Sequence, residues 1–233
     1  MPSSSNQRLG VYTFGVALAL LAWDLSGLDM TLARWSGGSG GFPLHDHWLL
    51  TTWLHDAAKA LAWFLVSLLC LGVWFPAGWL HALPLHRRLQ FALTALMAGL
   101  VITLLKAGSS TSCPWSLADF GGVAQHLSHW TNPLRHDGGS GSCFPAGHAA
   151  AGFAFIGGYF AYRPVSPVLA RRWLWASVAA GLLLGISQQL RGAHFMSHTL
   201  WSGLICWCTA WALDALLNTL DLRRVTADFG ETH

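Results

Sequence analysis

Charge is what this chain has least of. Only 10% of its 233 residues are Asp, Glu, Lys or Arg, against about 25% in a typical soluble domain. With 53% hydrophobic residues, that scarcity excludes an ordinary soluble globule and marks a membrane protein. A basic stripe is also missing: the net charge is +3 and the basic residues fall in short clusters between apolar runs, which sets nucleic acid aside as a partner. No convincing small-residue cleavage site follows the first apolar run, so that run reads as a retained span and not a signal peptide. There is no internal repeat and no linker, so residues 1–233 read as a single transmembrane domain.

What is present is a series of apolar runs, each long enough to cross about 30 Å of hydrocarbon, with many of the 14 Trp near their ends. The expected spans run from about Leu9 to Leu28, Ala60 to Leu80, Leu89 to Leu105, Gly147 to Tyr162, Trp173 to Leu190 and Ser197 to Leu220. Between the first two, a glycine-serine stretch leads into His45-Asp46-His47-Trp48 and on to His55-Asp56. The helical spacing of Trp48, Leu49, Thr52 and Trp53 suggests an interfacial amphipathic helix there, with its histidines on a wet surface. Six spans put both termini on one side. That side holds Arg8, Arg87, Arg88, Arg163, Arg171, Arg172, Arg223 and Arg224; the other has Arg34, Lys59, Lys106, Arg135 and Arg191. The arginine-rich side is therefore expected to be cytoplasmic. The connections 30–58, 107–146 and 191–197 then face the periplasm or cell exterior.

Polar residues gather at the outer ends of these spans. Lys106 closes the third, His148 opens the fourth within Cys143-Phe144-Pro145-Ala146-Gly147-His148, Arg191 follows the fifth, and His194 and His198 open the sixth. Ionisable groups at one membrane depth are a functional-site hypothesis by default. A helix start preceded by Pro-Ala-Gly offers unpaired N–H groups to an anion at Ala146 and Gly147. Cations, imidazoles and a helix N-terminus together suit a phosphate that is broken and transferred.

Three stretches carry a closer likeness. Lys106-x6-Cys113-Pro114, Pro145-Ala-Gly-His148 and Ser187-Gln188-x5-His194-x3-His198 resemble the signatures K-x6-R-P, P-S-G-H and S-R-x5-H-x3-D of the type 2 phosphatidic acid phosphatase (PAP2) family. Order and internal spacing match. The resemblance implies an all-α bundle of six transmembrane helices with a periplasmic amphipathic helix and an active-site loop. It implies His194 as nucleophile, His148 as proton donor and then base, and Lys106, Ala146 and Gly147 on the phosphate, without a cofactor.

Four signature positions depart: Cys113 and Gln188 stand where the family has Arg, Ala146 where it has Ser, and His198 where it has Asp. Arg191 is the expected substitute clamp, since a guanidinium can fork two phosphate oxygens; Arg135 is a weaker one. His198, at i+4 from His194, is expected to accept its hydrogen bond, with Asp119 or Asp137 as other orienters. Cys113 and Cys143 both lie in the outer loop and are expected to pair as a disulfide in an oxidising compartment, closing the loop beside His148. Cys70, Cys206 and Cys208 lie within spans. His126, His129 and His136 read as surface residues. The pair His194 and His198 has the spacing of a zinc site but lacks a clear third ligand, so no metal is expected. The expected activity is hydrolysis of a membrane lipid phosphate or pyrophosphate at the periplasmic face of a bacterial inner membrane. Transfer to a second lipid is an alternative, and a non-catalytic phospholipid binder or transporter is an alternative of another class.

Overall fold

The computed structural model describes residues 4–130 and 136–230, with 4–5 and 221–230 given by backbone alone. Among the described residues the regular structure is helical, and pairing of extended backbone is confined to two isolated bridges, Gly38 with Gly41 and Leu117 with Ala124. The helices are α1 (Ser4–Leu25), α2 (Leu28–Ser36), α3 (Ala58–Trp74), α4 (Leu85–Ala107), α5 (Gly147–Phe153), α6 (Gly157–Tyr162), α7 (Pro167–Leu190) and α8 (Met196–Gly230). Five stretches among the described residues are long and apolar enough to cross a membrane: Asn6–Leu25, Leu49–Trp74, Leu85–Ala107, Pro167–Leu190 and Met196–Leu220. The chain is a multi-pass membrane protein.

The expected fourth span takes a different form. From Gly147 to Tyr162 the helix is interrupted by a 3-10 turn at Ala154–Ile156, giving the short helices α5 and α6. This broken rod is the centre of the bundle: α5 packs on α7 and α8, and α4 packs on α6 and α8. Small residues make that possible, since a side chain on Gly152 would strike the backbone of α7 at Gly181, and close backbone approach is how helices pack in a bilayer. Phe153, Phe160 and Tyr162 are buried around it.

The second span also begins earlier than expected. Instead of a separate interfacial helix, Leu49–Ala57 forms a π-helical segment that runs unbroken into α3. No proline or glycine separates residue 49 from residue 71, so nothing stops the helix there. It ends at Trp74 because Pro76 follows. Capping sets two further starts: α4 begins directly after Pro84, and α7 begins at Pro167, where the Ser166 hydroxyl accepts from the Leu169 N–H.

The two ends of the bundle differ in charge. At the end away from His148, Asp214 of α8 is buried and accepts from Arg87 of α4 at 3.0 Å, Arg163 at 3.1 Å and Gln90 at 2.9 Å. This network joins α4, α6 and α8 across the far end.

Candidate active site

At the other end, the connection from α7 to α8 is fixed by its last turn. Gly192 adopts φ +74°, the Gly192 N–H returns to the Gln189 carbonyl and the Ala193 N–H to the Gln188 carbonyl. This pairing closes α7 with a left-handed glycine. It also fixes the positions of Arg191 before the turn and His194 after it. Asp29, in the first turn of α2, then receives the Ser197 N–H at 3.0 Å and the Ser197 hydroxyl, so a carboxylate sits on the N-terminus of α8. His194 and His198 are thus placed by backbone contacts on both sides.

The outer loop between α4 and α5 is folded on itself. Buried Asp137 accepts from the Ser112 N–H at 2.6 Å, the Ser112 hydroxyl at 2.8 Å and the Gly139 N–H at 3.0 Å. Cys113 and Cys143 form a disulfide, with their Cα atoms 5.2 Å apart. The expected pairing is therefore present, and the Cys143 sulfur lies 3.5 Å from Nδ1 of His194. Ala146, fully buried, precedes α5 in an extended conformation and leaves Gly147 and His148 at the helix start.

His148 and His194 face each other with ring centroids 6.4 Å apart. Lys106, Lys59 and Arg191 all lie near enough to bear on His148 electrostatically. Burial, then the Lys106 and His148 charges, push His194 down to about 3, against a small opposing pull from the Cys143 carbonyl. Its imidazole is therefore neutral, the form a nucleophile needs. Arg191 is held by two bonds, Nε to the His45 carbonyl at 2.9 Å and Nη1 to Gln188 Oε1 at 3.0 Å. Gln188, at the signature position of an arginine, thus serves to hold the arginine three residues on.

Several expectations require correction. His198 makes no hydrogen bond to His194 among the described residues. Their rings are 5.8 Å apart and edge to face, and His198 Nδ1 is buried without a partner. Asp137 is occupied by Ser112, and Asp119 pairs with Arg34 at 3.2 Å, so neither orients His194. Arg135 lies outside the described residues. Cys143, His194 and His198 have ligand atoms within 4.8 Å of one another, but that sulfur is in the disulfide and offers no thiolate to a metal. His136 is exposed as expected. His129 is not a surface residue: its side chain is 7% exposed and stacks on Phe144 with centroids 4.1 Å apart.

Two site residues escaped the sequence reading. His55, assigned to a wet helix face, stacks on His148 with centroids 3.9 Å apart, and its Nδ1 lies 2.7 Å from Asp56 Oδ1. Lys59, exposed in the first turn of α3, lies near enough to bear electrostatically on His148 and Lys106. The signal was present as His55, Asp56 and Lys59 at i, i+1 and i+4. It becomes legible only once the π-helical segment is known to continue into the span, and such segments often mark functional sites.

Comparison with known proteins follows the same lines. No curated protein matches this sequence. Among solved structures, the fold resembles a transmembrane PAP2-type phosphatidylglycerolphosphate phosphatase from Bacillus subtilis, with a TM-score of 0.51 and 17% identity over 93% of this chain and 95% of that one. The family model of the PAP2 superfamily matches residues 87–220, from the first turn of α4 to the body of α8 and so through every signature above. More than half of the chain lies within that match, and the chain belongs to the PAP2 superfamily.

Proposed function

We propose that this protein removes a phosphate from a membrane lipid through a phosphohistidine on His194. The observation that carries the reading is the meeting of His194 and His148 at 6.4 Å, with Lys106, Lys59 and Arg191 near enough to bear on His148 electrostatically. A phosphorus held about 3–3.5 Å from a nitrogen of His194 leaves its departing oxygen within reach of His148. His194 forms the N–P bond as the P–O bond to the lipid breaks; His148, pushed down to about 3 by burial, then by His55 and the nearby cations, becomes charged only when the phosphate's negative charge enters beside it, and then gives that proton to the departing oxygen. Water then attacks phosphorus while His148 takes a proton, which releases inorganic phosphate and restores both rings. The Ala146-Gly147 turn, Lys106 and Arg191 stabilise the charge on the phosphoryl oxygens. Lys59 adds a cation from α3 where the first signature has lost its arginine.

The substrate class is an isoprenyl pyrophosphate, a phosphatidyl phosphate or a lipid A phosphate. A lipid is favoured because the site caps helices that face hydrocarbon. An apolar groove of about 400 Å³, lined by Val16, Phe153, Leu182, Leu204 and Trp207 among others, lies beside α8 below it. The distribution of arginines supports a six-span topology with both termini cytoplasmic and the site on the periplasmic face of a bacterial inner membrane, α5 and α6 together making the fourth span. Phosphate release from a panel of lipid phosphates by detergent-purified protein in EDTA, wild type against His194→Ala, tests the activity. Release that survives chelation and is lost in the variant is expected; release indifferent to His194 overturns the mechanism.

A further inference from the structure

The family signature places an aspartate where this chain has His198, which removes a fixed negative charge from beside His194. A second carboxylate, at the end of α1, packs against the same helix. His198 is 1% exposed and enclosed by Phe144, Phe195 and His129, whose ring centroids lie 5.3, 5.5 and 5.6 Å away. Beyond His129 stands Asp24, at the end of α1. His129 Nε2 is 3.4 Å from Asp24 Oδ2, and the two side chains are only 7% and 4% exposed. The same oxygen accepts from the indoles of Trp130 at 2.6 Å and Trp201 at 2.8 Å, so the carboxylate is firmly held.

Among the described residues, Asp24 Oδ1 and His198 Nδ1 are buried without a hydrogen-bond partner, and His129 Nε2 has only its long contact with Asp24. Buried polar atoms are normally paired, and under-satisfied groups on three residues in one cluster point to a shared purpose. Asp24, His129 and His198 all line one cavity of about 40 Å³, and a polar cavity of that size holds an ordered water. Asp29 lines it too, but its oxygens are taken by Trp23 and Ser197. Asp24 is therefore the carboxylate with capacity to spare.

We propose that Asp24 supplies, through His129 and a water in this cavity, the negative charge and hydrogen-bond acceptor that fix the ring of His198, which packs edge to face on the nucleophile His194 and so limits its orientation. Asp24 and His129 are positioning residues, since neither touches the reacting phosphate. The inference rests on the phosphohistidine reading above, and it moves the family carboxylate from α8 to α1.

The test compares kcat, KM and thermal unfolding for wild type, His194→Ala, Asp24→Asn, His129→Gln and the Asp24→Asn/His129→Gln pair. The substrate is the best-hydrolysed lipid phosphate of the panel in mixed micelles. Asn can still accept from both indoles, so that anchor stays while the charge and the spare acceptor oxygen are removed. The expected result is a kcat at least tenfold lower in each single variant, with KM within twofold and the unfolding midpoint little changed. Because the two residues act in series, the pair should lose no more than about twofold beyond the worse single variant. Asp24→Asn with kcat within twofold of wild type, or losses that multiply in the pair, overturns the relay. If Asp24→Asn does not fold, His129→Gln decides by the same criteria. Turnover that persists in His194→Ala overturns the nucleophile assignment itself, a different outcome from failure of the relay alone.

Discussion

A neutral nucleophile has a thermodynamic signature. His194 is pushed down to about 3 by burial and by the nearby Lys106 and His148, and returns to about 6.5 when the chain unfolds. Between those values the unfolded chain binds more protons than the folded one. Stability is thus complete above about pH 6.5 and falls as pH drops toward 3. His148, pushed down to about 3 by burial, then by His55 and Lys106, contributes equally over the same window, and His129, lowered by burial against the pull of Asp24, adds to it. The unfolding midpoint in detergent should fall steadily from pH 6.5 to 4.5, and His194→Asn should flatten the fall. A variant with the full wild-type slope would show that His194 contributes nothing to it.

Among the elements, the loop between α4 and α5 depends most on a single covalent bond. The Cys113–Cys143 disulfide spans 30 residues and constrains the unfolded chain by about 3–4 kcal/mol in the chain-entropy picture. It also sets the sulfur against His194. Replacing both cysteines with serine should lower the unfolding midpoint and reduce kcat together, because the loop carrying Asp137 is released from the start of α5. Thiol titration of the denatured protein checks the premise: only Cys70, Cys206 and Cys208 should react before a reductant is added, and reaction of all five cysteines beforehand would refute the bond.

For the whole molecule, chemistry and anchoring occupy opposite ends. Asp214 neutralises Arg87 and Arg163 in a buried network, and removing one partner of such a network costs about 3–5 kcal/mol because charge is left unpaired. Asp214→Ala should therefore unfold at a markedly lower temperature, while its folded fraction keeps kcat/KM within about threefold of wild type. A large loss of turnover without a loss of stability would mean that the two ends are coupled, contrary to their separation in the bundle.

Local sequence determined the membrane class, the end of the bundle that carries Lys106, His148 and His194, and the pairing of Cys113 with Cys143. The first depends on composition, the second on which polar residues fall at the ends of successive apolar runs, and the third on two cysteines sharing one outer loop. Helix limits were less legible: Ser166 and Pro84 are capping signals, whereas the continuity from Leu49 to Trp74 followed only from the lack of a breaker. Contacts between distant segments belong to the tertiary structure alone. The stacking of His55 on His148, the capture of Arg191 by the His45 carbonyl and the approach of Asp24 to His129 join residues 93, 146 and 105 positions apart, counted as 148 − 55, 191 − 45 and 129 − 24. No periodicity encodes such meetings, because they depend on which helix faces pack together, and here the packing around α5 and α6 is what brings those segments to one end.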